Sequence, residues 1–200
     1  MTDIRHETAK LIAATSNNLA QVVASAAFEF WQRKDFRLYV SFEKLSQTEQ
    51  DRMFNELEVS VLGLFVLHLE SMEARSPEEE KKTVFRMLKK DITSGFIQFM
   101  ADQGIQKQYL SIWQKLIDMR LKEYRTDLQT ALSESKSWKE FQGDEETRVT
   151  WARIETITID CLTHIRRGDV QKDDPLWKLI RKWLITLDAQ LQPIAKLEVG

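Results

Sequence analysis

Few residues in this sequence can turn a chain sharply. Its 200 residues include six glycines and three prolines, where an average chain of that length carries about 14 and 10. A β-sandwich or barrel needs turn signals about every ten residues, and a doubly wound sheet needs a corner at each end of every strand. A chain this poor in turn-formers is confined to long elements with few corners, and long helices meet that condition.

The remaining punctuation falls where helices begin and end. Ser46-Gln47-Thr48-Glu49 is a capping box, in which hydroxyl and carboxylate each satisfy an orphan backbone N–H. Ser76-Pro77-Glu78-Glu79 and Asp174-Pro175 place proline at a helix start, where its missing N–H costs nothing. Gly104 and Gly168 stand where left-handed C-terminal caps would fall. Between these marks the apolar residues recur at helical spacing, predicting helices over about 3–34, 47–75, 77–103, 105–133, 144–167 and 175–192. Trp113, Ile117, Leu121, Tyr124, Leu128 and Leu132 show the cleanest period. Residues 35–45, where Phe36, Leu38, Val40 and Phe42 alternate with polar neighbours, stay open between helix, strand and linker. Residues 133–143 read as a loop pinned by Trp138 and Phe141. The chain reads as one all-α domain, 1–200, a bundle of about six mostly long antiparallel helices. Helices of 25–30 residues are about 38–45 Å long, which is near the diameter of a compact domain of this size.

Charge narrows the partners. Twenty-nine Lys and Arg face 31 Asp and Glu, without the basic excess that phosphate backbones require, so nucleic acid is not expected. One cysteine, Cys161, excludes an intrachain disulfide and fits a reducing compartment. Leu11 to Phe28 lacks charge, but Thr15, Ser16, Asn17, Asn18 and Gln21 make it too polar for a signal segment or a membrane span. The run Val59–Leu69 is about half a span. A cytoplasmic protein without a transmembrane segment is expected.

Site chemistry is sparse. Asp160 and His164, one turn apart beside Cys161, could present a carboxylate and an imidazole on one face. Their bland reading is a surface ion pair next to a core cysteine, with His164 beside Arg153 and Arg167 on the polar side. His68 lies in an apolar stripe with Val61, Leu64 and Met72, as a buried neutral histidine or a ligand contact. No HExxH, CxxC, Walker, nucleophile-elbow or dinucleotide pattern occurs, so no cofactor, metal ligand set or catalytic residue is assigned. Phe65, His68, Phe99 and Trp113 lie on core stripes and could line a pocket for a small apolar ligand. The last helix, with Trp177, Trp183, Lys178, Arg181 and Lys182, superficially matches membrane-surface or calmodulin-target helices. It equally fits a terminal bundle helix with a solvated face.

The first helix stands apart, because surface helices of bundles normally carry charge on their outer face. Small uncharged residues permit close approach on more than one side. Either this helix is central in its own bundle, or it packs on a second subunit or partner through Ile12, Leu19, Val22, Ala26 and Phe30.

Residues 53–132 resemble the ubiquinol–cytochrome c chaperone domain, through Leu57-to-Leu69, the polar third helix, and Trp113-to-Leu132 with Leu121, Tyr124, Arg125 and Leu128. That resemblance implies an assembly chaperone. The residues themselves favour a non-catalytic protein-interaction or assembly module, homodimeric through the first helix. A helical small-molecule sensor or carrier is the alternative.

Overall fold

The structure, a computed structural model, describes residues 2–135, 144–171 and 173–191. Every regular element among them is helical: α1 (Thr2–Trp31), α2 (Lys34–Tyr39), a 3₁₀ turn (Phe42–Lys44), α3 (Gln47–Arg75), α4 (Glu79–Asp102), α5 (Lys107–Ser135), α6 (Glu145–Ile165) and α7 (Pro175–Leu191). The chain is an all-α bundle of the kind its periodicity predicts.

α3 is the axis. It packs on α1, α4, α5, α6 and α7, and every residue from Glu56 to Leu69 is buried. A helix buried on all sides belongs at the centre of a bundle, and this explains the largely apolar run Val59–Leu69, broken only by Ser60, Gly63 and His68. Around it, α1 lies against α4, α4 against α5, α5 against α6, and α6 against α7.

The expected boundary signals act as follows. The Ser46 hydroxyl accepts from the Glu49 amide at 3.3 Å, while the Glu49 carboxylate turns to Arg52 and Arg167 instead of closing the capping box. Pro175 opens α7, with the Asp174 carboxylate accepting the Leu176 amide at 2.9 Å. α4 begins two residues beyond Pro77, after an extended Glu78 with no side-chain cap. Gly104 and Gly168 hold φ of +88° and +83°, the left-handed geometry that glycine adopts without a Cβ penalty.

The open stretch 35–45 is mostly helical. Phe36, Val40 and Phe42 turn into the core while Leu38 stays 73% exposed, so the alternation came from a short helix and a 3₁₀ turn. α5 continues to Ser135, into the stretch read as a loop. Residues 136–143, with Trp138 and Phe141, lie outside the described residues.

Small residues let α1 approach its neighbours closely. Ala20, Val23 and Ala27 have no exposure, and Ile12 packs with Leu69, Phe85 and Leu88. At its C-terminal end Phe30 stacks on Trp183, with centroids 4.1 Å apart and planes at 16°. Among the described residues no helix is long and apolar enough to cross a membrane.

Candidate functional site

Four of the five first-helix residues face inward. Ile12, Leu19, Ala26 and Phe30 are buried within the chain's own bundle, and Val22 is 40% exposed. The outer face of α1 instead presents Asn18, Gln21, Val22, Ser25 and Phe28. With Trp183, Thr186, Leu187 and Gln190 of α7, part of that face borders an open groove of about 640 Å³.

The proposed pocket residues divide. Phe65, His68 and Trp113 are buried and Phe99 is half-buried. Trp113 meets Phe96 edge-on at 5.9 Å, whereas the polar neighbours of His68 are Arg153 and Asp188. None of the four lines the open grooves beside Val22, Lys89, Pro77 or Met119.

His68 belongs to a buried polar cluster joining three helices. Arg153 Nη2 of α6 donates to Asp188 Oδ1 of α7 at 2.6 Å and lies 3.2 Å from His68 Nδ1 of α3. Arg153 is 1%, His68 2% and Asp188 3% exposed. Burial lowers the guanidinium pKa against the opposing pull of Asp188. Burial also acts to raise Asp188, but hydrogen bonding to His68 and the charge of Arg153 outweigh it and hold the carboxyl below its usual range. Arg153 Nε and Nη1 and His68 Nε2 have no hydrogen-bond partner. The sequence reading set Arg153 on a polar face; in the structure α7 covers that side of α6. A signal was present, since Arg153 stands one turn before Ile157 and Asp188 one turn after Leu184, both in apolar stripes.

A second chain of charges ties α3, α5 and α6. Arg120 grips both oxygens of Glu56 at 2.9 and 2.7 Å and reaches Glu123 at 3.2 Å. His164 meets Glu123 at 3.0 Å, so the ion pair expected with Asp160 is replaced by one to the neighbouring helix. Asp160 is pushed up to about 7 by burial and by the charges of Asp127 and Glu123. Cys161 is fully buried, and burial pushes its thiol up to about 12, which keeps it protonated and a poor nucleophile. Among the described residues no group of three or more metal-ligating side chains converges. Glu56 and Glu123 are spent on Arg120 and His164 within helix interfaces, an arrangement that sets the register between helices, while Asp160 Oδ2 has no hydrogen-bond partner.

On α7 the apolar face is buried against the bundle. Arg181 lies over the rings of Trp151 and Trp177 at 4.7 and 5.3 Å, with Glu155 at 3.0 Å. Its aromatic and basic residues thus serve a solvated bundle helix.

The outer face of α5 differs from the rest of the surface. Tyr109, Ile112 and Met119 are 51%, 60% and 53% exposed, Leu116 between them is half-buried, and Ile105 just before the helix is 38% exposed. Their spacing of three, four and three from Tyr109 to Met119 is that of a coiled-coil seam. α6 runs antiparallel along this helix, from Arg148 on the Leu132 carbonyl to His164 on Glu123, and ends at Ile165. The stripe begins where α6 stops. A shallow groove of about 440 Å³, lined by Met119, Arg120, Lys122, Glu123, Thr126 and Asp127, continues it. Two further open grooves, beside Val66, Lys89 and Arg125 and beside Met72, Pro77 and Phe85, are lined largely by charged or polar groups.

Comparison of the chain with protein-family models, curated proteins and solved structures finds no significant match. The likeness of residues 53–132 to the ubiquinol–cytochrome c chaperone domain is therefore one of helical pattern.

Proposed function

We propose that this chain is a non-catalytic helical protein-interaction module that docks a helix of another protein on the outer face of α5. The observation that carries the reading is the seam of exposed Tyr109, Ile112 and Met119 with half-buried Leu116, at coiled-coil spacing beyond the end of α6. Contiguous exposed apolar surface of this kind marks interaction sites in soluble domains, and helix-in-groove docking uses the same anchor spacing. The bundle behind it is held by an all-round buried α3 and two interior charge clusters.

A second face, for self-association, is favoured by one observation. The outer surface of α1 is free of charge from Ala13 to Phe28 and borders the 640 Å³ groove against α7, which Glu29 also lines. Placing a photocrosslinker at position 112, and separately at exposed Lys90 of α4, tests the main reading in the native host. The expected result is a discrete adduct at 112, lost on Met119→Glu and not formed from 90. Equal labelling from both positions, or none from 112, would overturn it.

A further inference from the structure

We infer that the α5 seam takes an acidic amphipathic helix, one whose apolar stripe is edged by glutamate or aspartate. The inference rests on the docking reading above and adds the partner's chemistry. It comes from the charges bordering the seam. Lys115 and Lys122 stand one heptad apart on the same flank of α5, both exposed. No acid of the described chain lies within ion-pair distance of either; the nearby Lys89, by contrast, pairs with Glu73 at 3.0 Å.

Of the acids near the seam, Asp127 lies past Met119 on the flank opposite Lys115 and Lys122, and the two closer ones have partners. Glu123 is shared between Arg120 and His164, and Asp118 accepts from Gln114 at 3.0 Å. Along the flank of Lys115 and Lys122 the seam therefore offers apolar anchors edged by two lysines without an ion-pair partner among the described residues. In a two-helix seam the positions flanking the apolar stripe choose the partner through opposite charge. An acidic edge is the complement of Lys115 and Lys122. A second copy of α5 fits less well, because antiparallel pairing centred between Ile112 and Leu116 brings Lys115 of the two copies together.

The test uses the full chain and three fluorescent helical peptides, each of three heptads with leucine at both seam positions and with glutamate, glutamine or lysine on the flanks. Anisotropy is expected to show the glutamate peptide binding about tenfold tighter than the lysine peptide at low salt, a margin that narrows as salt screens exposed pairs. Lys115→Glu with Lys122→Glu should reverse the order, and Ile112→Glu should abolish binding of all three. These side chains are exposed, and thermal melts by circular dichroism verify that each variant stays folded. If the order is absent in the parent or unmoved by charge reversal while Ile112→Glu still abolishes binding, the acidic partner is refuted and the docking face stands. If light scattering shows a dimer that Ile112→Glu dissociates, the occupant is a second copy and the inference is overturned. Binding of no peptide by a monomeric chain overturns both readings.

Discussion

The ring of Tyr124 lies against the bare backbone of Gly63. A Cβ built at Gly63 would stand 2.5 Å from Tyr124 Cε2, so α3 and α5 approach closely only because that atom is missing. Tyr124 cannot move aside, since it has no exposure and its hydroxyl lies 3.3 Å from Ser60 Oγ. Gly63→Ala gains about 1 kcal/mol of helix propensity, but forcing a methyl into a closed core costs about 1–3 kcal/mol. Overpacking should win, lowering the urea midpoint. Adding Tyr124→Leu should make the pair less than additive, because the smaller side chain vacates the space the methyl needs.

Glu58 is 5% exposed, and burial alone pushes its carboxyl up from 4.5 to about 8. The folded state favours the neutral acid, so the stabilising form is complete below the unfolded value near 4.5. Stability is then lost as pH rises through the window up to about 8. Linkage makes the loss on the order of 3 kcal/mol at pH 7. Glu58→Gln removes the ionisation and keeps the shape. It should melt at a higher temperature than the parent at pH 7.5, with the gap closing toward pH 4.5. A gap independent of pH would show that Glu58 titrates in the folded state as it does in the unfolded chain.

The helices were legible from Gly104, Gly168 and Pro175, because backbone constraints at such residues are local. Three features were not legible, each for a reason of packing. The burial of Arg153 depends on α7 lying across α6, which the periodicity of α6 cannot report. His164 pairs with Glu123 across a helix interface, so a spacing rule within one helix pointed to Asp160 instead. The α5 seam lies beside the core stripe of Trp113, Ile117, Leu121 and Tyr124, and whether that second apolar face is covered depends on where α6 ends. The aromatic set Phe65, His68, Phe99 and Trp113 shows the same limit: stripes state which residues turn inward, and the assembled bundle decides which of them meet.

Removing half of the Arg153–Asp188 pair should cost far more than removing both. Asp188→Ala leaves a guanidinium that is 1% exposed without its counter-charge, a loss of about 3–5 kcal/mol. Arg153→Met with Asp188→Leu replaces the pair by apolar groups of similar size and should recover most of that loss. Urea unfolding of the parent and of these two variants measures it. Equal destabilisation by the single and the double change would show that the two charges are not coupled.

The two faces of α1 should respond in opposite ways. Phe30 is 1% exposed and stacks on Trp183, so Phe30→Ala should cost about 3–5 kcal/mol through the cavity it leaves. Val22 is 40% exposed on the outer face, and Val22→Glu should shift stability by no more than about 0.5 kcal/mol. Deleting residues 1–34 would remove a wall of the core along with the outer face, so a change in oligomeric mass after that deletion would confound unfolding with dissociation. Val22→Glu separates them: with the urea midpoint unchanged, any change in mass by light scattering reports the outer face of α1 alone. A large stability loss in Val22→Glu would mean that this face packs within the bundle, and the charge-free surface would then be core.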